Sequence, residues 1–191
     1  MVIVTDDEDR ENEGDITMAA ARVTPEAIAF MLNHGKGLVC MPCAGERLDA
    51  LGIGAMVTGP AAADTAFTVS IDWRGCGSGI SAVDRACTVQ AFLDPRTTAA
   101  DFVRPGHVFP LRARLGGVLE RTGHTEAAVD LARLAGLAPV AVICEVLNVD
   151  GSVARTEDLV RLSTRFDLGI VSVEQLVAHR RGVPARAAAG R

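Results

Sequence analysis

Ten residues near the start of the chain, Asp6 to Asp15, hold seven carboxylates around one arginine: Asp-Asp-Glu-Asp-Arg-Glu-Asn-Glu-Gly-Asp. The run follows Met1-Val-Ile-Val4, an apolar stretch that reads as a buried strand. Acids at the mouth of a buried strand are held close together by the fold. Their mutual repulsion is costly unless a cation offsets it. The run carries a local charge of −6 against −5 for the whole chain, so everything else sums to +1. The acidity therefore belongs to one place, and no basic footprint for nucleic acid exists elsewhere.

The rest of the chain can build one sizeable core. Of its 191 residues 49% are hydrophobic but only 4% aromatic, so the core must rest on Ala, Val, Leu and Ile. Such an apolar surplus also suits a subunit interface. The five cysteines, Cys40, Cys43, Cys76, Cys87 and Cys144, are odd in number and irregularly spaced. That favours a reducing compartment. Neither a signal peptide nor an apolar run of ~18 residues is visible, so a cytoplasmic protein without membrane contact is expected.

Helix and strand signals alternate. Thr24-Pro25 opens a helix to about Asn33, stopped by Gly35 and Gly37. Strands are expected at Gly37–Met41, Phe67–Ile71 and Val140–Leu147. Ser81–Asp84 and Ser172–Gln175 read as capping boxes, the first opening a helix to Leu93. Further helices are expected at Thr125–Ala135 and Thr156–Asp167, with a turn at Asp150-Gly151 and Ile170-Val171 before the last helix. The pattern predicts a single mixed domain over 1–181 and a frayed tail over 182–191. Because the chain opens directly on a strand, an earlier natural start is expected.

Five constellations could carry chemistry. In Arg10–Asp15, an extended backbone would point Glu11, Glu13 and Asp15 to one face, and Gly14 would admit a ligand. Carboxylate oxygens suit Mg²⁺ or Mn²⁺; a solvated acidic loop is the plain alternative. Arg121-Thr-Gly-His-Thr125 precedes a helix, whose N–H groups and dipole favour an anion, unless Thr125 merely caps it. His124 there could reach a metal bridging to the same substrate. Arg104–Pro110 would hold His107 on a stiff loop, fit for proton transfer near neutral pH. Glu145, inside an apolar strand, must be paired or functional, with Arg155 as the structural partner to consider. Cys40-Met-Pro-Cys43 lacks a second pair for zinc and a helix start for redox chemistry. It reads as packing, although Cys40 could line a site. Together these parts suggest a metal-dependent enzyme acting on a small phosphorylated, oxygen-rich substrate.

Five stretches carry a closer resemblance: Asp6–Asp15, Thr65-Ala-Phe-Thr-Val-Ser70, Gly79-Ile-Ser-Ala-Val-Asp-Arg85, Arg104-Pro-Gly-His-Val-Phe-Pro-Leu111 and Arg121-Thr-Gly-His-Thr-Glu-Ala127. With them the chain resembles the 3,4-dihydroxy-2-butanone 4-phosphate synthases of riboflavin biosynthesis. The resemblance implies an α+β fold, three layers around a mixed sheet, and a lyase. Its reaction converts D-ribulose 5-phosphate to 3,4-dihydroxy-2-butanone 4-phosphate plus formate with Mg²⁺ or Mn²⁺. It further implies Glu11 and His124 as metal ligands, and Arg10, Glu11 and Asp15 against the sugar. Arg121, Thr122, Gly123, His124 and Thr125 would hold the phosphate, and Glu145 would also touch substrate. His107 and Glu145 would be essential, with Asp15 or Glu13 as the further proton-transfer acid. A homodimer with interface sites is implied, His107 being supplied across it.

The chain departs from the family pattern in three respects. The family's usual helix before the first strand is missing. Gly77 and Ser78 stand where two threonines are usual. The GTP cyclohydrolase II domain fused to some relatives does not follow, so only the synthase activity is implied. Rival readings are another metal-dependent ketose-phosphate isomerase or aldolase, a non-catalytic partner-binding subunit, and an RNA-binding protein. None of the expected catalytic side chains is lost, which speaks against the second; the acidic site speaks against the third.

Overall fold

The computed structural model describes residues 1–7, 10–57, 59 and 65–182. Alternation along each strand decides what reaches the site. In β1 (Val2–Thr5), Ile3 enters the main core while Val2 and Val4 pack on the opposite face. β2 (Gly14–Ala19) returns antiparallel with Asp15 opposite Val4. Ile16 and Met18 thus share the main core, and Asp15 faces the other way. β3 (Cys40–Cys43) and β6 (Ala141–Glu145) continue the pattern. Met41, Val142 and Cys144 lie on the core side, Cys40, Ala141 and Ile143 on the side of Asp15.

The remaining strands are β4 (Ile71–Trp73), β5 (Phe102–Arg112) and β7 (Gly169–Ser172). Together they form a seven-stranded sheet in the order β4-β5-β3-β6-β2-β1-β7. β3–β5 and β1–β7 pair parallel and the other neighbours antiparallel. One face is covered by α1 (Pro25–Phe30), α2 (Gly45–Ala50), α3 (Ala82–Leu93) and α5 (Thr156–Phe166), which contribute Ile28, Leu48, Phe92 and Leu159 to the main core. The opposite face is covered by α4 (His124–Leu134) and α6 (Val173–Arg180) through Ala127, Ala128, Val173 and Leu176. The expected three layers around a mixed sheet are present.

Buried carboxylates fix α4 in place. Glu126 accepts the Arg114 N–H (3.0 Å) and the Arg121 guanidinium (2.7 Å). Asp130, fully buried, accepts the Val118 N–H at 3.0 Å and the Arg180 guanidinium from α6.

Several elements differ from expectation. Arg104–Pro110, expected as a loop, lies within the eleven-residue β5. Its loop character survives as a bulge: Ile71 faces Val108 and Asp72 faces Val103, so Arg104–His107 are looped out between them. A bulge needs no regular ladder N–H, which is why proline is tolerated there. The strand expected at Phe67–Ile71 is reduced to bridges at Phe67 and Thr68, with β4 starting at Ile71. The strand expected at Gly37–Met41 starts later, at Cys40. α1 begins on its Thr24 cap and Pro25 as foreseen, then loosens after Phe30 into a π-helical turn, Met31–Gly35. Ser172 forms the expected capping box with Gln175. Ser81 accepts the Asp84 N–H, but the Asp84 carboxylate turns away and holds the N–H groups of Gly77 and Gly79. Apart from Gly182, the expected frayed tail lies outside the described residues.

Candidate active site

The acidic run is folded by one of its own members. Asp6, buried, accepts the Glu13 N–H at 2.8 Å, the Glu11 N–H at 3.2 Å and the Arg10 guanidinium at 2.7 Å. Arg10 also donates to Glu11 at 2.8 Å. Burial lowers the Arg10 pKa, but Asp6 and Glu11 more than offset it and the net shift is upward. Arg155 donates to the carbonyls of Glu11 and Asn12 and pins the outer side of the loop. It is therefore not the partner of Glu145. Glu8 and Asp9 lie outside the described residues.

Four elements then aim side chains into one cavity of about 230 Å³. The acidic loop and β2 supply Arg10, Glu11, Glu13 and Asp15; β3 supplies Cys40; β6 supplies Ile143 and Glu145; the start of α4 supplies His124 and Thr125. Thr65, Phe67, Leu111 and Arg121 close it. Asp15 and Glu145 are cross-strand neighbours in the β2–β6 register, which places both on the α4 face. A larger cleft of about 340 Å³ beside Asp49 and Arg112 has no such convergence of acids and imidazole.

The electrostatics follow from burial and crowding. Asp15 is 2% exposed, and its carboxyl is pushed up to about 7 by burial, with Glu145, Glu13 and Glu11 adding to the shift and His124 opposing it. Glu13 is also raised, chiefly by burial and then by Glu11 and Asp6. Burial raises the Cys40 thiol far out of the nucleophilic range, so it is a neutral wall of the cavity. Among the described residues, two buried polar atoms lack a hydrogen-bond partner: Asp15 Oδ1 and His124 Nε2. Orphaned buried polar atoms at a cavity are where a ligand is expected to bind. His124 Nδ1 lies 3.9 Å from Glu11 Oε2, and one ligand atom each of Asp6, Glu11 and His124 fit within 4.8 Å of one another. Oxygen and imidazole donors at that spacing fit a divalent ion. Asp6 already accepts three hydrogen bonds and Glu11 one, so Glu11 and His124 keep more capacity for an ion than Asp6 does.

Arg121 is held, not mobile: Glu126 takes one arm of the guanidinium at 2.7 Å and Thr65 the other at 3.1 Å. Gly123, not Thr125, is the N-cap of α4, and a Cβ there would strike the Arg121 guanidinium. Thr125 lies inside the first turn and is buried. Thr122 is exposed, and neither it nor Gly123 lines the cavity. Glu145 is oriented by a feature not read from sequence. Leu38 donates its N–H to Glu145 Oε2 at 2.8 Å, and Gly37 lies so close that a Cβ would meet that oxygen at 2.5 Å. From sequence Gly37 reads as a helix stop and the start of a strand, not as a support for Glu145. His107 does not line the cavity; it sits in the β5 bulge, bonded to Asp72.

An α+β domain that gathers acids, an imidazole and a clamped arginine around one cavity is of the metal-dependent enzyme class. The matching family model is that of 3,4-dihydroxy-2-butanone 4-phosphate synthase, over residues 1–179. The chain belongs to this family. It is 55% identical over 184 residues to the 3,4-dihydroxy-2-butanone 4-phosphate synthase of Agrobacterium fabrum, covering 95% of this chain and 86% of that one. It is 52% identical over 182 residues to the riboflavin biosynthesis protein RibBA of Bacillus mycoides, but spans only 46% of that protein. Among solved structures, a 3,4-dihydroxy-2-butanone 4-phosphate synthase in complex with two magnesium ions superposes with a TM-score of 0.89 at 42% identity, covering 97% of this chain and 93% of that one. RibBX, a two-domain synthase from A. baumannii, gives 0.91 at 47% identity, covering 94% of this chain and 54% of that one. Among the described residues no helix is long and apolar enough to cross a membrane.

Proposed function

We propose that the chain converts D-ribulose 5-phosphate to 3,4-dihydroxy-2-butanone 4-phosphate and formate, with Mg²⁺ or Mn²⁺, as a homodimer in the cytoplasm. The observation that carries this reading is the convergence of Glu11, His124, Asp15, Glu145 and Arg121 on one cavity in a chain of this family. Glu11 and His124 would hold the metal; His124 Nδ1 lies 3.9 Å from Glu11 Oε2, and the spacing of their ligand atoms fits that task. Held there, a divalent ion would supply Lewis acidity toward sugar oxygens, which would acidify the adjacent C–H bond.

The chain's own residues do the rest. Arg121 and the N–H groups at the start of α4 bind the phosphate end, Thr122, Gly123 and Thr125 forming that turn. Anchoring there holds the reacting carbons against the carboxylates. Arg10, Glu11 and Asp15 contact the sugar. Asp15, its carboxyl pushed up to about 7 by burial, is suited both to remove and to return a proton. Glu145, fixed by the Leu38 N–H, stands beside Asp15 on the neighbouring strand and serves the second transfer. Cys40 and Ile143 exclude water from one wall. His107 is off this cavity and exposed enough to serve a second copy's site across a dimer interface.

The test is formate release. Purified protein incubated with D-ribulose 5-phosphate and Mg²⁺ should yield equimolar formate and four-carbon phosphate by NMR, and none with chelator. Ketose isomerisation or aldol cleavage without formate would sink the synthase reading.

A further inference from the structure

β5 carries His107 in its bulge, and Asp72 on β4 grips it twice. Asp72 Oδ1 accepts the His107 backbone N–H at 2.8 Å, and Oδ2 lies 2.7 Å from the ring Nδ1. The grip is built into the surroundings. Asp72 is buried, and Gly79, at φ +87°, backs onto its carboxylate where a Cβ would collide with it. Gly106 lies flat on the Ile71–Asp72 backbone, again with no room for a Cβ, and its N–H is held by Ser70 Oγ at 3.1 Å. The next residue of β4, Trp73, is fixed through its N–H on Thr88 Oγ1 at 3.0 Å. Carboxylate, bulge and both flanking strands therefore form one rigid mount.

What the mount displays is one ring nitrogen. Among the described residues Asp72 is the ring's sole hydrogen-bond partner, and the His107 side chain is 42% exposed. An ionised carboxylate only accepts, so a neutral imidazole bonded to it through Nδ1 must carry its proton there. The lone pair is then on Nε2, on the outward side. A loop-borne histidine with no such partner would exchange tautomers and rotamers freely. We infer that Asp72 is a positioning residue for the reaction. It locks His107 in the Nδ1–H tautomer and presents Nε2 as the atom that takes or returns a proton. The inference rests on the reading that His107 takes part in the reaction.

Asp72→Asn tests this with little change in shape. The amide oxygen still accepts the His107 N–H, but the amide nitrogen donates to Nδ1 and forces the proton onto Nε2. Long-range ¹H–¹⁵N NMR of the ring, assigned by comparison with His107→Gln, should report the Nδ1–H form in the unaltered protein and the Nε2–H form in Asp72→Asn. Turnover of the variant should fall at least ~100-fold while KM and Mn²⁺ affinity stay within about twofold, the latter read by calorimetry independently of turnover. A wild-type ring in the Nε2–H form overturns the inference without any variant having to fold. An inactive His107→Gln beside a fully active Asp72→Asn overturns the positioning role alone. A fully active His107→Gln overturns it through the underlying reading, because His107 then has no part in the chemistry.

Discussion

Asp15 shows how one side chain's surroundings set its role. Its carboxyl is held up at about 7, against an ordinary 3.8, because burial and three acidic neighbours disfavour the charge. Between those values the folded protein holds a proton that the unfolded chain has already released. Stability therefore falls as pH rises through that window, and the loss is complete above it. The displacement corresponds to at most about 4 kcal/mol. Asp15→Asn, which cannot ionise, should gain on the unaltered protein at pH ~8 and show no gain at pH ~4. Urea unfolding with chelator present, at both pH values, checks this; an equal difference at both would mean that Asp15 is not held neutral by the fold. The same substitution should abolish formate release. Glu11 is the complementary case: its side chain is 48% exposed and, among the described residues, its carboxylate accepts one hydrogen bond, from Arg10. Glu11→Gln should weaken Mn²⁺ binding at least ~10-fold by calorimetry with no loss of thermal stability. Unchanged affinity would remove Glu11 from the ligand set.

At the scale of the element, the turn after α1 and the start of α4 act as holders for the site. Gly37→Ala should drive a Cβ into Glu145, whose Oε2, Cβ and backbone oxygen lie 2.5–2.7 Å from it. Relief requires moving Glu145 or the backbone, so activity should collapse with a stability loss of about 1–3 kcal/mol, read by kinetics and thermal melts. Asp130→Ala strands the Val118 N–H and the Arg180 guanidinium; a loss of about 3–5 kcal/mol follows, with α6 showing the earliest hydrogen exchange. These elements also mark what sequence can disclose. The capped helices and the apolar strand before Glu145 were readable, because their signals are local: Thr24-Pro25, Ser172 with Gln175, and the β-branched run of β6. β5 was not, since Pro105, Gly106 and Pro110 are loop signals, and only the pairing with β3 and β4 makes them a strand. α2 and β2 were passed over for a related reason. α2 has no capping side chain before Gly45, and β2 is hidden behind the acids that precede it. Among the residues that line the candidate cavity, Glu11, Asp15 and Glu145 were legible as crowded or buried acids, and Arg121 and His124 as parts of an anion cradle before a helix. The Leu38 N–H and Asp72 were not, one being backbone and the other a lone acid whose partner is 35 residues away.

The whole molecule divides the residues proposed for function between two places, the cavity under α4 and the mount on β4 and β5. If a second copy brings them together, inactive His107→Ala and inactive Glu11→Gln subunits should recover activity when mixed and allowed to exchange. Statistical pairing makes half of all dimers mixed, and each mixed dimer has one intact site of its two, so recovery is partial. No recovery would place both halves within one chain. The order of the sheet has a consequence for synthesis as well. β1 and β2 are translated before their sheet neighbours, for β2 is flanked by β6 and β1 by β7. The acid-bearing hairpin thus emerges without Glu145, His124 or the outer strand that will seal it. If Glu11 and His124 hold the metal, its capture by the nascent chain must wait for the start of α4, so a product stalled before that point should not sequester the ion.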